Sequence, residues 1–167
     1  MAEPDVTPPG PPVRWHTRED SGLLLDAQLR WFHDGEPIQH PRIVELFNES
    51  LVPTDDGRFQ LRVGKDWAYV TVEDAAYLVT GIDATETAVF LRLSDRTGEA
   101  LVPATLVLSA DGVLSVQVKQ GRARARFSRA AQVALGALLE ESEGGLVLGL
   151  EKAKIPVPLP SSVLREA

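Results

Sequence analysis

Polar and apolar positions alternate strictly along RFQLRV, residues 58–63, and a period of two over six residues predicts a β-strand. Phe59, Leu61 and Val63 fall on one face, with Arg58, Gln60 and Arg62 on the other. Upstream, Ile43, Leu46, Phe47 and Leu51 recur at helical spacing, which predicts a helix in PRIVELFNESL with one apolar stripe. Pro41 suits its first turn, where a missing N–H is no loss. Before that helix, LRWFHDGEPIQ reads as a hairpin, because Asp34-Gly35 supplies the two positive-φ residues of a type I′ turn. After it, Asp55-Asp56-Gly57 turns the chain. Gly64-Lys65 turns it again into WAYVTV, residues 67–72, rich in aromatic and β-branched types. The order is strand, strand, helix, strand, strand.

The same order returns from Val113. VLSVQVK and RARARF form a hairpin about Gln120-Gly121, with Val118 opposite Ala123 and Val116 opposite Ala125. Ser128 is placed to cap a helix in SRAAQVALGALLEE, which Gly144 and Gly145 are expected to stop. LVLGL and KIPVPL supply two more strands. The hairpin glycines Gly35 and Gly121 lie 86 residues apart, and Gly57 and Gly145 lie 88 apart. A near-constant offset predicts an α+β fold of two topologically similar ββαββ units, each a small, mostly antiparallel sheet with one main helix. The first unit spans 20–75 and the second 113–160. Bridging strands occupy 76–112, a disordered proline-rich tail 1–19, and a short tail 161–167. Alternate prolines at Pro156, Pro158 and Pro160 mark KIPVPLP as an edge strand or an extended tail.

At 167 residues, with 44% hydrophobic and 25% charged positions, the chain reads as an ordinary globular protein. It has no cysteine, which excludes disulfides, thiolate metal sites and cysteine nucleophiles. The opening MAEPDVTPPGPPVRW lacks the basic end and apolar run of a signal peptide, and no membrane-length apolar run follows. A cytoplasmic location without membrane contact is the expectation. The net charge of −7 disfavours a general affinity for nucleic acid, which needs surplus Lys and Arg. The charge is uneven, however. Between Asp111 and Glu140 no acid appears, while Lys119, Arg122, Arg124, Arg126 and Arg129 do.

His33 and His40 stand among Asp34, Glu36 and Glu45 and raise the question of a metal site. In the hairpin register they lie four residues apart along the ladder, roughly 13 Å. Donors to one zinc ion must each approach to about 2.1 Å, so this pair cannot chelate. No metal and no cofactor is expected. His33 reads as a cross-strand partner of Glu36, and His40 as a cap or hinge residue. Arg122, Arg124 and Arg126 share one face of their strand. Their plain reading is a solvated face paired with the acidic first half; the sharper one is an anion site, since guanidinium forks fit carboxylate and phosphate. Glu73 and Asp74 are adjacent at a strand end and point to opposite faces, which suits a turn better than an acid–base dyad. Trp67 and Tyr69 are strand aromatics, able to join the core or line a groove. No GxSxG, HExxH or GxGxxG motif is present.

HDGEPIQHPRIVELFNESL, followed by DDGRFQL and VEDAAYLV, resembles the bacterial family termed domain of unknown function 1285. That family shows, in the same order, a hairpin with an acid-Gly turn, a helix ending in Leu-Phe, a DGR strand and a VEDAPF-like run. The likeness covers about residues 25–80, and more loosely 113–160. It departs at VGKDW and at Ala76, where the family has proline. The resemblance implies two similar α+β halves, no established enzyme activity and a proposed signalling or ligand-sensing role. The combined expectation is a non-enzymatic ligand-sensing or regulatory module. A small anionic molecule or a protein partner would sit between the halves, held by Arg58, Trp67, Tyr69, Arg122, Arg124 and Arg126. The alternatives are a hydrolase or transferase using Glu73, Asp74 or His33, and a weak nucleic-acid binder using the arginine strand 122–126. Dimerisation stays open, because one strand edge bears prolines and others need not.

Overall fold

The structure, a computed structural model, describes residues 16–165. Most of the expected tail, residues 1–15, lies outside them. Residues 16–19 are not a free tail, since the Tyr69 N–H donates to the Arg18 carbonyl at 2.8 Å.

The first meander is β1 (Leu23–Leu25), β2 (Trp31–His33) and β3 (Glu36–Pro37). Helix α1 (Pro41–Ser50) leads to the second, β4 (Leu51–Pro53), β5 (Phe59–Val63) and β6 (Asp66–Val72). Strands β1 and β6 run parallel, Leu24 beside Thr71 and Leu25 beside Val72, so the six strands form one sheet in the order β3-β2-β1-β6-β5-β4. The second sheet repeats the plan. Its meanders are β7 (Tyr77–Ala84), β8 (Val89–Leu93), β9 (Gly98–Ala100) and β10 (Val107–Leu108), β11 (Leu114–Val118), β12 (Ala123–Phe127), with a 3-10 turn at Pro103–Thr105 between them. Again the first and last strands run parallel, Ala125 beside Tyr77 and Phe127 beside Val79, giving β10-β11-β12-β7-β8-β9. Helix α2 (Arg129–Gly136) then leads to a three-stranded sheet of β13 (Leu139–Ser142), β14 (Gly145–Gly149) and β15 (Lys154–Pro156), and a 3-10 turn closes at Ser161–Arg165.

The fold is therefore α+β with two topologically similar units. The duplicated element order is present too, as hairpin, helix and meander in β2-β3-α1-β4-β5-β6 and in β11-β12-α2-β13-β14-β15. The strands placed by sequence between the units build β7 to β10 of the second sheet, whereas β13 to β15 stand apart. Turn chemistry sets the registers. Asp34 and Gly35 have φ of 50° and 82°, and His33 pairs with Glu36 as the I′ turn requires. Val118 opposes Ala123, and Gln117 opposes Arg124. That loop is longer than two residues, with positive φ at Lys119 and Gln120 as well as Gly121.

Two helix expectations change. In α1 the inward face carries Val44 and Phe47, while Ile43 and Leu46 are 41% and 43% exposed. The cause is Trp31, fully buried beneath the helix. Its ring meets Phe47 edge-on at 5.2 Å and its Nε1–H donates to Asn48 Oδ1 at 2.8 Å, which fixes the helix rotation one residue away from the Ile43 stripe. In the second unit Ser128 does cap α2, its Oγ accepting from the Ala131 N–H at 3.1 Å. The helix, however, ends at Gly136 rather than at Gly144. Leu139 is buried and pairs with Leu148 in a four-residue ladder, so Glu143 and Gly144 turn a hairpin instead and Gly145 opens its second strand. Glycine at 136 weakens further helix growth, and strand pairing takes over.

One apolar cluster joins the sheets, running from Leu25, Trp31 and Leu51 through Tyr77 and Leu91 to Leu148. Tyr77 is its polar rivet. The hydroxyl donates to the Leu51 carbonyl at 2.7 Å, and burial pushes its ionisation far above the ordinary range. Among the described residues, no buried side-chain nitrogen or oxygen lacks a hydrogen-bond partner. At the second-sheet hairpin loop, Lys119 Nζ lies 2.6 Å from the buried Asp95 carboxylate and 5.0 Å from the Tyr77 ring centre. Burial alone would raise the Asp95 pKa. Hydrogen bonds from Lys119 and Thr97 outweigh it and hold the group below its ordinary 3.8.

Replacing Tyr77 by Phe should cost roughly 1–3 kcal/mol in urea unfolding, because the Leu51 carbonyl is left buried and unpaired. Because Asp95 ionises at lower pH folded than unfolded, its contribution is complete above 3.8 and is lost as pH falls from there through the folded value. Urea midpoints measured across that range should therefore fall less steeply in Asp95→Asn than in the parent.

Candidate functional site

The six residues singled out from sequence separate into two groups. Arg58, Trp67 and Tyr69 come together on the first sheet. Trp67 and Tyr69 alternate along β6 and meet edge-to-face at 5.6 Å. Arg18 lies over the Trp67 ring at 4.9 Å and Arg58 over the Tyr69 ring at 3.3 Å, which makes a ladder of cation, ring, ring and cation. Beside it runs a groove of about 590 Å³, with Arg58, Phe59 and Tyr69 on one wall and Glu19, Asp20 and Asp34 among its other lining. Arg58 is committed, since its Nη1 also pairs with Glu19 Oε2 at 3.2 Å. Among the described residues its lining holds three acids, Glu19, Asp20 and Asp34, against the single cation Arg58, a balance that disfavours an anion.

Arg124 and Arg126 lie on β12 and Arg122 in the loop just before it, and all three reach across to the first half. Arg122 pairs with Asp55 at 3.1 Å and Arg124 with Asp74 at 3.0 Å, while Arg126 Nη1 donates to the Ala27 carbonyl at 3.0 Å. The row is a seam between the sheets. Glu73 and Asp74, beside it, have diverged as adjacent strand-end residues should: Glu73 Oε2 accepts from the Ala27 N–H at 3.1 Å, and Asp74 faces Arg124.

A second groove, about 490 Å³, lies under α2 and wholly within the second half. Leu114, Phe127, Val133, Leu139 and Val163 give it apolar walls. Its polar groups are fixed with one exception. Gln132 Nε2 donates to the Gly112 carbonyl at 2.8 Å, and its Oε1 accepts from the Leu114 N–H at 2.9 Å. Asp111 accepts from the Ser109 hydroxyl at 2.6 Å, a bond that holds its carboxyl below the usual range. Arg126 is held by Ala27. Arg129, exposed in the first turn of α2, has no partner among the described residues. The strand-face pattern that singled out 122–126 passed over it, because it lies one residue beyond Ser128 and on a helix.

The histidines resolve differently from their sequence spacing. His40 occupies the N-cap position of α1, with no side-chain capping bond. His33 meets not His40 but His16, the rings 4.6 Å apart, and both lie against Asp34. His16 went unnoticed because it sits in the stretch read as tail. Among the described residues, no helix is long and apolar enough to cross a membrane.

No protein-family model and no curated protein matches the chain. Two solved structures do resemble it. A DUF1285 family protein from Silicibacter pomeroyi DSS-3 superposes with a TM-score of 0.65 at 20% identity, over 88% of this chain and 84% of that one. A DUF1285 family protein from Shewanella baltica OS155 gives a TM-score of 0.49 at 19% identity, over 65% of this chain and 85% of that one. The shared architecture over most of both chains bears out the resemblance read from HDGEP, DDGRF and VEDA: in its fold, this chain is similar to the DUF1285 family.

Proposed function

We propose that the protein is a non-catalytic ligand-sensing module, and that it binds a small anionic molecule with an apolar body in the groove under α2. The observation that carries this reading is the Arg129 guanidinium, without a partner among the described residues, at the rim of an apolar cleft whose other described polar groups are committed. A volume of about 490 Å³ lies within the range of small-molecule sites, which are apolar with a few placed polar groups. A guanidinium fork holds a carboxylate or phosphate oxygen pair in plane, and the first turn of a helix adds its own favourable dipole. Val163, from the closing 3-10 turn, forms one wall, so occupancy would bear directly on how the C-terminal segment lies.

A hydrolase or transferase using Glu73, Asp74 or His33 receives less support. Each is engaged with a different partner, and the one carboxylate lining this groove, Asp111, is held by Ser109. The anion expected between the halves is also moved, since the grooves described lie within each half and the arginine row between them is already paired.

Octanoate and benzoate, each beside its uncharged amide, test the reading by thermal shift. The acids should raise the melting temperature in proportion to RT ln(1 + [L]/Kd), about 2.7 kcal/mol at a hundredfold excess over Kd, and the amides much less. Arg129→Ala should leave the unliganded melting temperature unchanged and weaken acid binding by about tenfold or more, the worth of one charge-assisted bond. Acids that fail to stabilise the parent, or stabilise Arg129→Ala equally, would refute the proposal.

A further inference from the structure

We infer that His16, His33 and Asp34 form a binding site for one divalent first-row transition ion of the zinc type, at the rim of the first-sheet groove. Their candidate ligand atoms all lie within 4.8 Å of one another. His16 Nε2 stands 2.6 Å from Asp34 Oδ2, and His33 Nε2 stands 3.8 Å from the same oxygen. Donors about 2.1 Å from a tetrahedral ion are about 3.4 Å from each other, a spacing that these two distances bracket. The side chains are partly exposed, so the small rotations required meet no packed core.

The fold holds two of the three ligands in place before any ion arrives. His33 ends β2 and pairs with Leu23 of β1 on one side and with Glu36 of β3 on the other. Asp34 has a φ of 50° in the I′ turn, and its N–H donates to the Gly22 carbonyl at 3.0 Å. Gly22, with a φ of 73°, is the space in which the cluster assembles: a Cβ there would overlap Asp34 Oδ1 and sit 3.3 Å from His16 Nε2. His16 closes the set from the N-terminal stretch, which the bond from Tyr69 to Arg18 ties to β6. A simple His16–Asp34 hydrogen bond needs no second imidazole, yet the His33 ring lies 4.6 Å from the first, tilted by 39°.

The donor set selects the ion. Two imidazoles with one carboxylate suit zinc, nickel, cobalt or copper, and disfavour calcium and magnesium, which seek all-oxygen shells. Among the described residues, three acids, Glu19, Asp20 and Asp34, line the groove against one cation, Arg58, a net acidic balance that favours a cation's approach. Three protein ligands leave a coordination position for water or for an oxygen of a bound molecule.

The chain has three histidines, which gives the test its internal control. Untagged full-length protein is titrated with Zn²⁺ by calorimetry and with Co²⁺ by visible absorbance. One equivalent should bind, with d–d bands of a low-coordinate cobalt centre. His16→Ala, His33→Ala and Asp34→Asn should each weaken binding by about tenfold or more, whereas His40→Ala should bind as the parent does. All four positions are exposed, and circular dichroism verifies that each variant is folded. No binding by the parent, or binding that survives any one of the three ligand substitutions undiminished, overturns the site.

Discussion

Each of the two large sheets is closed by a parallel pairing between its first strand and its last. In the first sheet this joint is two residue pairs long and joins Leu25 to Val72; in the second it is three pairs long and joins Phe127 to Val79. All the other pairings are antiparallel and mostly local, so they can form from turn chemistry alone. The joints cannot. They bring together strands some fifty residues apart, whose loop-closure entropy must be overcome by burial. Leu25, Val79, Ala125 and Phe127, all buried at or beside these joints, provide it. Once β1 meets β6, the loop at Asp26 and the strand end at Glu73 come within reach, and Glu73 bonds the Ala27 N–H.

The second joint has a further effect. It sets β12 at the boundary of the two sheets, and Arg122, Arg124 and Arg126 then face acids and a carbonyl of the first half. Several are half-exposed, and isolated pairs of that kind add little stability. Their regular spacing instead specifies how one sheet is placed on the other. Tyr77 does the same from within the core, where a misplaced hydroxyl would be costly.

The sequence made local features plain. Asp34-Gly35, Gly64-Lys65 and Ser128 act through adjacent backbone geometry, so their roles follow from residue type. The alternation in LSVQV and ARARF also gave the correct pairing register. Features decided at a distance were hidden. The rotation of α1 depends on Trp31, ten residues earlier, and its amphipathic pattern admits both stripes. Strands β4 and β13 are short and attached directly or nearly so to helices, so their few residues read as helix ends. The candidate sites follow the same rule. Arg58 and Tyr69 are drawn together by neighbouring strands, but the Arg58 charge is absorbed by Glu19, which no local pattern reveals. His16 reaches His33 across seventeen residues by the path of the chain past β6, and spacing within one segment cannot show that.

The sheet margins have a colloidal meaning. Among the described residues, the marginal strands β3, β4, β9, β10 and β15 are two or three residues long and β13 is four, and Pro37, Pro53 and Pro156 sit in three of them. A neighbouring molecule seeking to continue the hydrogen-bond ladder would find few successive amides and, at those three, a missing donor. Among the described residues, the backbone at these margins is therefore a poor template for extending a sheet from one copy into the next.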